Sequence, residues 1–100
     1  MKSQFGLKIR ALREKQHLFL RQVAPLIEMD TAQLSKIEKG TRQLKRDQIP
    51  ALAKILNVET DELTILWLAD QLIDVVKNEK LAIQAIQVAE RNINNKKRIG

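Results

Sequence analysis

The eleven residues from Asp30 to Gly40 constrain this chain more than any other stretch. Wound at about 100° per residue, they place Leu34, Ile37 and Glu38 on one side. Ala32, Ser35, Lys36 and Lys39 fall on the other, with Thr31 at the leading turn. Asp30 suits the N-cap, because its carboxylate accepts from the free amides of the first turn. Gly40 suits the position just past the last turn, where the backbone turns left-handed. A short helix with two defined ends follows, one side apolar for packing and the other small and basic. Such an outward face can enter a groove and meet negative charge, so the stretch reads as a DNA recognition helix.

Its neighbours read as helices too. Phe5, Ile9 and Leu12 recur at i, i+4 and i+7, which predicts a first helix from about Phe5 to Gln16, started by Ser3 or Gln4. Arg13 lies on the flank of its inward face, and Lys8, Arg10 and Lys15 look outward. His17-Leu18-Phe19 makes a tight connection, and the lone His17 reads as a surface turn residue. A second helix is expected from about Leu20 to Ile27, burying Val23, Ala24 and Ile27. Pro25 falls inside it, where proline removes a hydrogen bond at a cost of about 3 kcal/mol; the helix is either kinked or little more than two turns long. Glu28-Met29 turns into the Asp30 helix. A fourth helix should start near Asp47 as N-cap with Pro50 in its first turn, bury Leu52, Ala53 and Leu56, and end at Asn57.

With no β-type alternation, two prolines and three glycines, the expectation is an all-α fold. The absence of cysteine excludes disulfides and thiolate zinc sites, and a single histidine offers no pair for metal or catalysis. No signal-peptide pattern opens the chain, and no apolar run is long enough to cross a bilayer. A soluble, cytoplasmic protein without cofactor or metal is therefore expected, and with no glycine-rich phosphate loop, not an enzyme. Charge is segregated. Residues 1–54 carry twelve Lys/Arg against five Asp/Glu, a net +7, whereas residues 55–95 carry three against seven, a net −4. Lys96, Lys97 and Arg98 restore the overall +6. Ordinary solubilising charge would not segregate so; a basic half facing a polyanion would.

From Ile9 to Leu63 the chain resembles the phage-repressor and Cro-like helix-turn-helix family. The likeness rests on Ile9-Arg10-x-Leu12-Arg13-Glu14, Leu18, Val23-Ala24, Ile27, Leu34-Ser35-x-Ile37-Glu38-x-Gly40, and Leu52-Ala53-x-x-Leu56-x-Val58 before Leu63. It implies a five-helix, lambda-repressor-like domain, here with an additional C-terminal helix. Departures fall at the start of the second helix, where Phe19 and Leu20 replace the family's Ser/Thr-Gln, and at its turn glycine, which is Glu28. The exposed face supplies Thr31, Ala32, Ser35 and Lys36 as base readers, and the resemblance favours the first, second and sixth helical positions, Thr31, Ala32 and Lys36. Lys39 and the loop cations Arg42, Lys45 and Arg46 are phosphate candidates, with Gln33 and Arg21 behind them. Glu38 sits on the packed side, where an unpaired charge is costly. Arg13 is its obvious partner, a pairing that members of the family share.

The remaining chain divides the whole into 1–63, the DNA-binding domain; 64–93, a helical extension; and 94–100, a disordered basic tail. Residues 60–77 are apolar around nearly the full circumference of a helix, more than one core-facing stripe requires. Asp70 and Asp74 at i, i+4 read as a solvated edge. A last helix, about Lys80 to Asn92 and capped by Asn78-Glu79, carries a stripe of Ala82, Ile86, Ala89 and Ile93. The expected use is a homodimer interface including Ile65, Trp67, Leu68, Leu72, Val76 and Ile86; the alternative is that both helices fold back on the single domain. A homodimer reading a near-palindromic operator, with recognition helices roughly 34 Å apart, is the leading expectation. By analogy it looks somewhat closer to the regulators associated with restriction–modification genes. An antitoxin-like module that binds a protein partner and regulates its own operon is the alternative. Nothing indicates a small-molecule effector.

Overall fold

The computed structural model describes residues 3–99, with side chains through residue 96. Among them there are helices and no strands. The elements are α1 (Gln4–Lys15), α2 (Leu20–Val23), a 3-10 turn (Ala24–Ile27), α3 (Thr31–Lys39), a 3-10 turn (Arg46–Gln48), α4 (Ile49–Ile55), α5 (Thr60–Val76) and α6 (Ala82–Ile99). The core gathers one apolar stripe from each of the first five helices: Phe5 and Ile9, Val23, Leu34 and Ile37, Ile49 and Leu52, and Leu63. Ala24, Ile27, Leu44 and Leu56 close it from the connections, and Leu66 and Trp67 pack on its edge.

Pro25 resolves the ambiguity of the second helix. The α-helix lasts four residues and then tightens into the 3-10 turn, with Pro25 in the first turn where its missing N–H has no role. Asp47 is not the cap of the fourth helix: it lies within the second 3-10 turn, and Gln48 precedes α4.

Four connections use one backbone device. His17, Glu28, Gly40 and Asn57 all have φ between 55° and 81°. After each, the next amide bonds back to the fifth residue before it: Leu18 to Arg13, Met29 to Ala24, Thr41 to Lys36 and Val58 to Ala53, at 2.9–3.1 Å. This closes the orphan carbonyls of the preceding turn and sends the chain off at an angle.

Asp70 is not a solvated edge. Its carboxylate accepts from the Ser3 hydroxyl at 2.6 Å and from the amides of Gln4 at 2.8 Å and Phe5 at 3.1 Å. Ser3 Oγ itself accepts from Gly6 N–H at 2.8 Å. The first turn of α1 is thus capped by its own serine and by a carboxylate from α5, both favoured at the positive end of the helix dipole. Asp74 is exposed and paired with Lys77 at 2.8 Å, whose hydrogen bond and charge hold its carboxyl below the usual range.

The C-terminal helix differs from expectation at both ends. It begins at Ala82 and runs through Ile99, past Asn94, where the basic tail was expected to start. Gly100 and the side chains of Lys97 and Arg98 lie outside the described residues. No helix among the described residues is long and apolar enough to cross a membrane.

Candidate nucleic-acid interface

The orientation of α3 is fixed at three points. At its start, Asp30 Oδ1 accepts from Gln33 N–H at 2.7 Å while Gln33 Oε1 accepts from Asp30 N–H at 3.1 Å, a reciprocal capping box. At its end, Gly40 turns left-handed and lies so close to Ser3 that a Cβ there would meet the Ser3 Cβ at 2.8 Å. Along its inner side Leu34 and Ile37 are buried and Glu38 is only 8% exposed.

Arg13 and Glu38 form a bidentate pair. Arg13 Nε donates to one carboxylate oxygen at 2.7 Å and Nη2 to the other at 3.0 Å, while Nη1 donates to the Leu18 carbonyl at 2.9 Å. This fork geometry satisfies a charge that burial would otherwise penalise. The hydrogen bond to Glu38 raises the Arg13 pKa, opposed by burial and aided by the Glu38 and Glu14 charges. One guanidinium therefore ties α1, α3 and the turn before α2 together.

Gly6 makes the same junction from the backbone side. A Cβ at Gly6 would meet the carbonyl oxygen of Glu38, and that of Ile37 at 2.7 Å. The approach of α1 to the last turn of α3 needs that bare position. Sequence reasoning missed it, although an isolated glycine inside a helical pattern was the available signal.

Of the base-reading candidates, Thr31, Ala32 and Lys36 are exposed and Ser35 is half-buried beside them. Lys39 and the cations Arg42, Lys45 and Arg46 are exposed too, and none of them joins an ion pair among the described residues. Gln33 is half-buried and its side-chain oxygen serves the cap, an arrangement that leaves the amide NH2 to donate outward. Arg21 is exposed, its guanidinium 4.4 Å above the ring of Phe19, a stacked arrangement favourable to the cation. Gln22 Oε1 accepts from Phe19 N–H at 2.7 Å, closing the start of α2 in place of a hydroxyl cap.

The residues expected at a subunit interface divide. Ile65, Leu68, Leu72 and Ile86 are exposed and Val76 is half-buried. Trp67 belongs elsewhere: it packs on the core, and its indole Nε1–H donates to the Leu44 carbonyl at 2.7 Å. The inner side of α5 folds back on the domain, while its outer side does not.

A split second helix, a left-handed turn at Glu28, and a capped helix with a packed side and a bare side define a helix-turn-helix protein. A family comparison agrees: residues 4–66 match the helix-turn-helix domain, more than half of the chain, and the chain belongs to that DNA-binding family. No curated protein and no solved structure gives a significant match.

Proposed function

We propose that this chain is a sequence-specific regulator of transcription that binds double-stranded DNA as a homodimer. In this reading α3 enters the major groove and the two subunits address a near-palindromic operator. The observation that carries it is the two-sidedness of α3. Its inner side is held by Leu34, Ile37 and the Arg13–Glu38 pair. Its outer side presents the side chains of Thr31, Ala32 and Lys36, exposed and with no side-chain hydrogen bond or ion pair among the described residues.

The roles follow from chemistry. Lys36 donates to guanine O6/N7, Thr31 bonds a base edge or packs its methyl on thymine, and Ala32 meets a thymine methyl. Lys39, Arg42, Lys45 and Arg46 grip phosphates and set register. The reading is of a non-enzymatic, cytoplasmic repressor of the kind that controls restriction–modification genes.

The homodimer is supported by where apolar surface lies uncovered. Among the described residues, nine of the twelve exposed large hydrophobic side chains fall between Ile65 and Ile93. Uncovered apolar side chains in that number suit a surface that a partner covers. The same surface keeps a second reading open, an antitoxin-like module that covers it with a different protein.

Selection of bound sites from random duplexes tests the function. Enrichment of a two-fold symmetric site, with half-sites one helical turn apart, is the expected result. Lys36→Ala should then change preference at one base position. Arg42→Ala or Arg46→Ala should weaken all sites alike and lower the salt slope by about 0.9 per lost phosphate contact. Failure of any sequence to enrich would refute the reading, and a stoichiometric foreign partner recovered with the protein would favour the antitoxin.

A further inference from the structure

The loop that follows α3 carries Arg42, Lys45 and Arg46, yet little of its own backbone holds it in place. At one end, Thr41 bonds back to the Lys36 carbonyl through its amide at 2.9 Å and its hydroxyl at 3.2 Å. At the other, Lys45 N–H meets Gln48 Oε1 at 3.3 Å. Between them Leu44 is buried in the core. Among the described residues, the hydrogen bond from Trp67 to the Leu44 carbonyl is the one that reaches residues 42–44. A cleft of about 540 Å³ opens between this loop and α5, lined by Arg42, Gln43 and Leu44 on one side and Trp67, Gln71 and Asp74 on the other.

Between its bonded ends, a loop backed by open space is placed by the buried Leu44 side chain and oriented by the hydrogen bond to the Leu44 carbonyl. We propose that Trp67 is a positioning residue for phosphate binding: its indole holds Leu44 so that Arg42 and Lys45 project at the spacing the DNA backbone requires. The inference rests on the DNA-binding reading and adds to it a residue outside the matched segment 4–66. Trp67 touches no DNA in this account. It spares the loop the ordering cost that flexible cations meet on binding.

The test measures affinity for mixed-sequence duplex DNA across a salt series. Trp67→Phe keeps an aromatic ring on the core edge and removes the N–H. Binding should weaken about threefold or more, and the salt slope should fall by about 0.9, the value of one phosphate contact. The loss from Arg42→Ala or Lys45→Ala should shrink in the Trp67→Phe background. The loss from Arg21→Ala, in α2 and stacked on Phe19, should not. Equal coupling to Arg21 would mean a general loss of structure and would overturn the proposal, as would an unchanged slope.

A second measurement uses the natural chain, so a poorly folded variant leaves no gap. The chain has one tryptophan, so its indole N–H gives a single proton resonance. Exchange of that proton with solvent should be slowed by the bond to Leu44 in the free chain and stay slow at saturating duplex; exchange as fast as that of a free indole overturns the proposal. Duplex left unbound by the natural chain at low salt overturns the DNA reading itself and the proposal with it. Binding by a chain whose indole N–H exchanges freely overturns the proposal alone.

Discussion

Glu38 brings a formal charge into the seam between α1 and α3, and Arg13 answers it with two hydrogen bonds. Removing one partner of such a pair leaves the other charge desolvated, at a cost of about 3–5 kcal/mol for fully buried cases. With Arg13 still bonded to the Leu18 carbonyl, Glu38→Ala should cost about 3 kcal/mol. That corresponds to a fall of roughly 10–20 °C in Tm for a domain of this size, and a melting curve unchanged from the natural chain would refute it. Gly6→Ala inverts the usual rule for helices. Alanine ordinarily gains about 1 kcal/mol over glycine in a helix interior. Here its methyl would press on the carbonyls of Ile37 and Glu38, so the expected outcome is a net loss of about 1–3 kcal/mol. Denaturant unfolding decides the sign.

The connections between helices carry strain that a single substitution can relieve. Glu28 stops its turn with φ 56°, a conformation that disfavours side chains with a Cβ by about 1–2 kcal/mol. Glu28→Gly should raise stability by about 0.5–1 kcal/mol, less than the full strain because glycine also loses more freedom on folding. A midpoint of denaturation that falls would count against it. These stops also show why some elements were legible in the sequence and others were not. Helix α3 announced itself through Asp30, Gly40 and a clean split between Leu34-Ile37 and Thr31-Lys36. The stops at His17 and Glu28 carried no glycine or asparagine to signal a left-handed residue, and Pro25 obscured where α2 ends. Asp70 was beyond reach for a different reason. It caps a helix 66 residues away, and local periodicity contains no trace of so distant a partner.

At the scale of the whole molecule, most of the exposed large apolar side chains lie past residue 64, and the exposed cations of α3 and its following loop lie before it. On α6 the seam Ala82, Ile86, Ala89 and Ile93 repeats with the four-three spacing of a coiled coil, and on α5 Ile65 and Leu72 are 64% and 62% exposed. Leu72→Asp or Ile86→Asp should yield a folded monomer in sedimentation, with Tm kept close to that of the concentration-limited natural chain and operator affinity lost. A natural chain that sediments as a monomer on operator DNA would refute the interface. The two-sidedness of α3, with Thr31, Ala32 and Lys36 outward, was visible from residue types and spacing alone. Sequence mapped the boundary between the two halves less well, because Trp67 looked like interface and Asp70 like solvent edge. Both reach back across residue 64 instead. One consequence concerns autonomy. Trimming the protein to its family-matched part, 4–66, would remove Ser3, the indole that holds Leu44 and the carboxylate that caps α1. Such a fragment keeps the exposed face of α3 and the Arg13–Glu38 pair but loses the ties that fix the start of α1 and the loop after α3, so the matched segment is not expected to stand as firmly by itself.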